Sequence, residues 1–440
     1  MRRWIGLFVV VLVIAGSTWA YSSLTARSRP VDQAALCYIG AYALPDDSRA
    51  VFVAYDNGET LEFFFDDGAH GVVHRQSPSV FAGDGVRLQR PDCGTSGATI
   101  GRQDTGTEQA VQKLAFVAHT VHFKNGDIEL AGKLTLPKDP ARQVVIWVAG
   151  SNDDGEIDRT HWQFTLPLHG IASFMLDKRG TGGSGGTVSA NFLIRAGDVR
   201  AAVAEARRLM GPSMEIGLHG ASQGGWVAPL ASLGGGVAFV IVSYGLAEGV
   251  TAEDRDEMAA YVKQAGYGPE DLAKLRTLTD ITSKIVRSHW QDGWDELANW
   301  RARHGSEQWL EALPDTSYTG FLIKIPSFAS ASVGSIIGPL LDKGVSFDYD
   351  PYPTLSTLKV PQLWLLGGRD VSAPSTATIK VLQDLKAHGA PIDVVVFQNA
   401  GHGLMEPWPG HKTERLSPGY RETVAAWAKI RTPPRSTPPE

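Results

Sequence analysis

The stretch "GLHGASQGGW", residues 217–226, carries a serine at position 222 between glycines at positions 220 and 224. The β-prone segment "SMEI" precedes it, and "VAPLASL", a predicted helix, follows. Ser222 therefore lies at a predicted strand-to-helix turn, the context in which a G-x-S-x-G pattern is typical of an exposed nucleophile. A turn this tight leaves no room for side chains at Gly220 and Gly224. The pattern predicts a serine nucleophile if the chain also provides a base and an acid.

The segments around this turn predict a parallel sheet covered by helices. Short apolar β-rich runs alternate with helical patterns such as "RAGDVRAAVAEARRLM" and "STATIKVLQDLKAHGA", and this alternation is typical of α/β folds. In such sheets, functional groups gather at the carboxyl ends of the strands. The predicted strands lie within residues 143–150, 170–180, 213–220, 237–245, 360–368 and 392–401.

A base and an acid follow the last two predicted strands. His402 lies in the glycine-rich loop "FQNAGHGL", and Asp370 lies in "LWLLGGRDVSAP". The chain order of serine, acid and histidine is the one expected of α/β hydrolases. We predict a triad of Ser222, Asp370 and His402, in which the histidine activates the serine and the aspartate orients the histidine. Glu248, after the run "VAFVIVSYG", is the rival for the acid.

Two backbone N–H groups are predicted to bind the oxyanion that forms when a serine attacks a carbonyl. The first is the N–H of Gln223, at the start of the helix after the nucleophile. The second is the N–H of Ser151, just after Gly150 in the loop that follows the strand "VVIWVAG". Asn152 is the second choice in that loop. Fixed donors of this kind contribute several kcal/mol to transition-state stabilisation.

These motifs resemble the elements of the α/β-hydrolase superfamily. The stretches that carry the resemblance are "GLHGASQGGW", "GGRDVSAP", "NAGHG", "VVIWVAGSNDDGEIDR" and "MLDKRGTGGSGG", the last similar to a D-x-R-G-x-G-x-S-x-G segment. The resemblance covers residues 115–244 and 351–430. It is strongest with bacterial esterases, acyl thioester hydrolases and serine aminopeptidases. It implies an α/β-hydrolase fold, a mostly parallel sheet covered by helices. It also implies a structural role for Asp177 and Arg179, with Arg179 near the substrate as the minority interpretation.

The function predicted from the residues and the resemblance is hydrolysis of carboxylic esters through an acyl-enzyme intermediate on Ser222. The predicted partner is a small-molecule ester or related acyl substrate, and neither a cofactor nor a metal is required. A serine aminopeptidase or an acyl thioesterase could use the same triad, but no charged residue of the predicted cap stands out as a binder of a peptide terminus. A non-catalytic binding protein with a hydrolase fold is a third alternative.

Two further segments are predicted around this core. Residues 31–105 alternate β-prone runs with turns and predict a small N-terminal β domain, followed by a polar linker over residues 94–109. Residues 245–350 hold helical patterns and four tryptophans, which predicts a helical cap insertion that either lines an acyl pocket or packs its own core. The proline-rich tail, residues 431–440, is predicted to be disordered.

The chain is expected to be exported. Residues 1–26 combine two arginines with an apolar run and small residues, typical of a signal peptide. The uncharged segment, residues 4–20, is also nearly long enough to anchor the chain in a membrane. Cys37 and Cys93 are then expected to form a disulfide, since bridges persist in the periplasm or cell envelope. Any membrane contact is expected through this segment alone.

The overall charge excludes one class of partner. The formal net charge is −6, which gives no electrostatic basis for binding nucleic acid. The run "TGGSGG", residues 181–186, lacks the G-K-[ST] ending of a phosphate-binding loop, so no nucleotide is expected. The sequence leaves the oligomeric state open.

Overall fold

The N-terminal part of the described chain folds into a closed antiparallel β barrel. The structure is a computed structural model that describes residues 30–325, 336, 338, 343–411 and 413–431. The barrel elements are α1 (Gln33–Leu36), β1 (Gly40–Ala43), β2 (Arg49–Ala54), β3 (Thr60–Phe65), β4 (His70–Ser77), β5 (Val80–Gly83), β6 (Val86–Gln89), β7 (Gly97–Arg102) and β8 (Thr107–Lys113). Strand β1 pairs with β8 and closes the barrel, whose interior holds buried aromatic rings such as Phe52 and Phe63.

The barrel is larger than the predicted β domain, and the predicted linker over residues 94–109 is wrong. That segment forms most of the β7–β8 hairpin, which pairs from Gly97 with Gln112 to Arg102 with Thr107. Ala98, Ile100 and Val111 of this hairpin are buried in the barrel. The glycines, threonines and other polar residues between them concealed the alternation in the sequence. The predicted boundary at residue 105 therefore falls inside a hairpin.

The predicted disulfide is present in the structure. Cys37 and Cys93 are bonded, with Cα atoms 5.5 Å apart. The bridge joins the segment before β1 to the loop after β6, so it closes most of the barrel sequence into one covalent loop. Constraining the unfolded chain in this way stabilises the fold by about 3–4 kcal/mol.

An eight-stranded mixed sheet follows the barrel within the described residues. Its strands are β9 (Val117–Asn125), β10 (Ile128–Leu136), β11 (Gln143–Val148), β12 (Ala172–Leu176), β13 (Glu215–Ala221), β14 (Phe239–Ser243), β15 (Gln362–Gly367) and β16 (Ile392–Phe397). The spatial order is β16-β15-β14-β13-β11-β12-β10-β9, and the six strands from β11 to β16 are parallel. Each predicted strand of the core corresponds to one of these six, and a hairpin that turns after Asn125 joins β9 to β10.

Helices cover both faces of this sheet, as the sequence predicts. One face is covered by helices that contribute Ala202, Val227 and Leu382, and the other by helices that contribute Trp162 and Trp427. The helices after the barrel are α2 (Trp162–Leu168), α3 (Phe192–Met210), α4 (Gly224–Ser232), α5 (Val250–Gln264), α6 (Pro269–Arg287), α7 (Trp294–His304), α8 (Tyr318–Lys324), α9 (Pro351–Thr357), α10 (Ser375–Ala387) and α11 (Tyr420–Ile430). Short 3-10 turns span Gln308–Ala312 and His402–Leu404, and a small hairpin pairs β17 (Met405–Pro407) with β18 (Glu414–Leu416).

The segment between β14 and α9 is helical where the structure describes it. Helices α5 to α8 pack around a hydrophobic cluster of their own. All four tryptophans of the predicted cap are buried in that cluster: Trp290, Trp294, Trp300 and Trp309. Trp290 also lines the pocket beside Ser222. Residues 326–335, 337 and 339–342 of the predicted insertion lie outside the described residues.

The predicted export segment also lies outside the described residues, as do residues 432–440 of the predicted tail. Of the helices that the structure does describe, none is sufficiently long and apolar to span a bilayer. Export, cleavage and anchoring therefore stay predictions.

Candidate active site

Ser222 lies on a strained turn between β13 and α4. Its φ of 51° falls in the left-handed region that L-residues seldom occupy, and such strain is concentrated at functional sites. A methyl group at Gly220 would overlap the carbonyl oxygen of Gly224, and one at Gly224 would overlap that of Val148. Close backbone approach therefore leaves no room for a side chain at either glycine.

Asp370 and His402 are brought together at the carboxyl ends of β15 and β16. His402 Nδ1 lies 3.0 Å from Asp370 Oδ2, and Asp370 Oδ1 accepts a hydrogen bond of 2.8 Å from the Ala373 N–H. The Asp370 side chain is 1% exposed and that of His402 is 36% exposed. An Nδ1–H that donates to the carboxylate leaves Nε2 of the imidazole as the proton acceptor, the tautomer that a general base needs.

The rival acid lies elsewhere. The carboxylate of Glu248 is 3.9 Å from the Arg255 guanidinium. The backbone oxygen of Glu248 accepts a hydrogen bond from Trp226 Nε1. Burial and the nearby Asp256 carboxylate raise the pKa of Glu248. The contact with the histidine is made by Asp370, so the geometry favours it as the orienting acid.

Tyr244 connects the serine and histidine segments. The Ser222 N–H donates to Ser243 O, and the ring of the next residue, Tyr244, packs edge-on against the His402 imidazole with centroids 5.0 Å apart. Between Ser222 and His402 themselves, both within the described chain, no hydrogen bond is formed. Catalytic hydrogen bonds are often long without substrate and tighten when it binds. For a general base to reach the Ser222 hydroxyl, the two side chains would have to approach each other when substrate binds.

The two predicted oxyanion donors flank the nucleophile. A methyl group at Gly150 would lie 3.4 Å from Ser222 Cβ, which places the loop carrying Ser151 against the serine. Gln223 directly follows Ser222 and caps α4. Within the described residues neither the Ser151 nor the Gln223 N–H donates to a protein acceptor, so both are available to a ligand. Asn152, the second choice, directs its side chain to Glu156 and Lys178.

Two basic residues beside this loop were not singled out from the sequence. Arg195 on α3 is 5% exposed, and burial lowers the pKa of its guanidinium to about 10. Lys178 donates to Gly150 O at 3.4 Å and to Asn152, and burial lowers the pKa of its amine to about 8. A basic residue on an amphipathic helix ordinarily faces water.

The 177–179 segment is structural, as the resemblance implies. Asp177 accepts hydrogen bonds from the N–H groups of Glu156 and Gly183, which ties its loop to the one after β11. Arg179 forms an ion pair with Asp198, with Nε and Oδ2 2.6 Å apart.

A pocket of about 470 Å³ opens beside Ser222. The core contributes the turn at Ser222 and the loop at Ser151, and the cap contributes apolar side chains such as Phe321 and Phe347. Glu253, on the cap helix α5, also lines this pocket, and burial together with the carboxylates of Glu257 and Asp254 raises its pKa well above the usual range. The sequence argument that no charged cap residue stands out is therefore wrong. Glu253 was missed because its place in the pocket depends on how α5 packs over the serine, which the sequence does not show.

His219, three residues before Ser222, is a buried histidine within β13. Its side chain is 0% exposed and its Nε2 lies 2.8 Å from Ser243 Oγ. Burial lowers its pKa from 6.5 to about 3. Between these two values the unfolded chain binds a proton that the folded chain excludes, so the folded state loses stability as the pH falls.

Acid is therefore expected to destabilise the fold through His219. The contribution is complete above pH 6.5 and declines as the pH falls towards about 3. Between pH 7 and pH 5 the loss is on the order of 2 kcal/mol for this residue. Denaturant unfolding of the wild type and of His219→Gln at both pH values tests this. We expect the free energy of unfolding of the variant to fall by about 2 kcal/mol less than that of the wild type between the two pH values. Equal losses in both proteins would contradict the lowered pKa of His219.

Comparison with known proteins identifies relatives of the core. No protein family model matches the chain. It is similar to a putative carboxymethylenebutenolidase of Salmonella typhimurium, at 24% identity over 170 residues that cover 37% of this chain and 62% of that protein. A protein of the same name from Escherichia coli is 26% identical over 170 residues, with 37% and 61% covered. The chain thus spans about three fifths of the length of these relatives.

Solved structures with a similar arrangement include two from archaea. An esterase of Pyrococcus furiosus has a TM-score of 0.42 at 14% identity, covering 72% of this chain and 89% of that one. An acylaminoacyl peptidase of Pyrococcus horikoshii has a TM-score of 0.46 at 14% identity, covering 87% of this chain and 56% of that one.

Proposed function

We propose that this chain, a member of the α/β-hydrolase superfamily, hydrolyses carboxylic esters through Ser222, His402 and Asp370. The observation that carries the proposal is the 3.0 Å contact between Asp370 and His402 at the sheet edge where Ser222 occupies its strained turn. A buried carboxylate on Nδ1 fixes the imidazole for proton transfer at Nε2. The similarity to proteins named carboxymethylenebutenolidase supports the same class of reaction.

The reaction begins with substrate in the pocket beside Ser222. As Ser222 Oγ bonds to the ester carbonyl carbon, His402 Nε2 takes the hydroxyl proton, and Asp370 stabilises the resulting imidazolium. The N–H groups of Gln223 and Ser151 bind the negative carbonyl oxygen. The carbon–oxygen bond to the alcohol then breaks, and the alcohol leaves with the proton from His402.

Water completes the cycle. His402 takes a proton from a water molecule, whose oxygen attacks the acyl carbon of the ester on Ser222. The bond to Oγ breaks, Oγ recovers the proton from His402, and the carboxylic acid is released. The same groups serve both halves of the reaction, so no further catalytic residue is required.

A second candidate is cleavage of aminoacyl bonds, and one observation favours it. Glu253 extends an acidic group into the pocket that contains Ser222. Burial and the neighbouring carboxylates of Glu257 and Asp254 raise the pKa of Glu253, and a substrate ammonium group beside it would favour its ionised form. A peptide or amino-acid ester with a free amino terminus presents such a group.

Hydrolysis of a defined substrate panel tests the proposal. The panel contains p-nitrophenyl esters of increasing acyl length, an unsaturated lactone bearing a carboxylate, and aminoacyl anilides with free and acetylated amino groups. We expect ester turnover by the purified chain, with catalytic efficiency highest for an acyl group that the pocket of about 470 Å³ encloses. Turnover of the free-amine anilide alone would show that the chain is an aminopeptidase and would overturn the proposal of ester hydrolysis. Turnover of none would overturn both.

A further inference from the structure

Arg195 is a buried charge in an unfavourable place. It lies near the N-terminus of α3, whose first turn is capped by the Asn191 side chain, and the positive end of a helix dipole disfavours a cation there. Burial adds a desolvation cost, since the residue is 5% exposed. Its side-chain hydrogen bonds to the described residues go to two neutral acceptors, and the carboxylates of Glu156 and Asp198 favour its charge without a hydrogen bond to it. A cation kept at such a cost calls for a specific role.

The two acceptors belong to the two segments that carry the oxyanion donors. Arg195 Nη2 donates to Ala149 O at 2.6 Å, two residues before Ser151. Arg195 Nη1 donates to the side-chain oxygen of Gln223, the residue whose own N–H is the other donor. One rigid planar guanidinium therefore spans the gap between the loop after β11 and the turn after β13.

We propose that Arg195 is a positioning residue that holds the two oxyanion donors at a fixed spacing. This rests on the function proposed above. No helix or strand fixes Ser151 in the loop after β11, which is held by Lys178 at Gly150 O and Asn152 O and by Arg195 at Ala149 O. Arg195 also holds the Gln223 side chain, so its guanidinium joins this loop to the turn that carries the nucleophile. Preorganised donors stabilise a transition state because they do not have to reorient as charge develops. Arg195 also lines the pocket beside Ser222, but the role proposed here is exerted through Ser151 and Gln223.

The proposal predicts a specific kinetic pattern. Arg195→Met should reduce kcat for an ester by about 10²-fold, the effect of losing one oxyanion donor, while KM stays within about threefold. Affinity for a boronic acid, which forms a tetrahedral adduct with the serine, should fall in parallel with kcat. Gln223→Met cuts one end of the link and should lower kcat by about tenfold. Because both substitutions break the same link, the double variant should be no slower than Arg195→Met.

Arg179→Met provides the matched control. Its guanidinium also pairs with α3, through Asp198, but contacts neither donor segment. We expect its kcat and boronic-acid affinity to stay within about threefold of the wild type. Arg195→Lys keeps the charge but has a single nitrogen in place of the fork, so it should recover only part of the loss.

The outcomes separate this proposal from the proposed function. Suppose that the wild type turns over esters. The positioning role alone is then overturned if Arg195→Met keeps kcat within threefold of the wild type, or if Arg179→Met loses as much kcat as Arg195→Met. If Arg195→Met does not fold, Gln223→Met decides: an unchanged kcat and boronic-acid affinity overturn the role, and parallel losses support it. A folded wild type that neither turns over esters nor binds the boronic acid overturns both proposals.

Discussion

Replacing Ser222 with alanine is expected to reduce kcat for ester hydrolysis by about 10⁴-fold or more. The reaction loses its nucleophile, and a water molecule in its place lacks the fixed alignment that the strained turn gives to Oγ. KM should change little, since the hydroxyl contributes little to binding the ground state. Initial rates with the best ester of the panel, measured on protein with an unchanged thermal midpoint, provide the test.

Ser232→Ala is the matched control for that experiment. Ser232 is buried in the same helix that follows the nucleophile, α4, and its hydroxyl donates to Pro229 O at 2.7 Å. Its activity should equal that of the wild type. A folded Ser222→Ala variant that retained more than about one hundredth of the wild-type rate would place the nucleophile elsewhere.

Replacing Asp370 with asparagine is the second large effect, a loss in kcat of about 10³- to 10⁴-fold. The amide keeps the shape of the side chain but carries no charge to stabilise protonated His402. Its NH₂ group can also donate to Nδ1, which would leave the hydrogen on Nε2, the wrong tautomer for a base. Rates across pH 5 to 9 should show the loss at every pH, because neither defect is relieved by titration of the histidine.

Glu248→Gln is the comparison that makes the Asp370 result specific. Glu248 also follows a strand of the sheet but lies near Arg255, away from the histidine contact. We expect it to keep kcat within about threefold of the wild type. If Glu248→Gln lost as much activity as Asp370→Asn, the acid would have been assigned to the wrong strand.

The core of this fold could be predicted because its signals are local. Each parallel strand is a short apolar run, and the glycines around Ser222 mark a turn that few other residues could form. Asp370 and His402 were predictable because parallel strands deliver the residues after them to one edge of the sheet. The pairing of Cys37 with Cys93 needed only the cysteine count and the expected compartment.

The remaining features depend on contacts between distant segments. Arg195 looks like a solvent-facing residue in its helix, and only the packing of α3 against the loop after β11 reveals its acceptors. Glu253 becomes part of the pocket because α5 crosses over the serine. The β7–β8 hairpin was missed because one face of each strand is polar, and closure of the barrel buries the other face. The secondary-structure propensity of a residue carries no information about which distant segment it will contact.

Covalent labelling of Ser222 tests the central claim most directly. A fluorophosphonate phosphonylates an activated serine, whose Oγ displaces fluoride from phosphorus; the reaction requires the base and the oxyanion donors but no particular acyl substrate. We predict that the wild type is labelled and that peptide mapping places the adduct on the peptide containing Ser222, with no labelling of Ser222→Ala. A folded wild-type protein that is not labelled, or an adduct on another serine, would contradict the account.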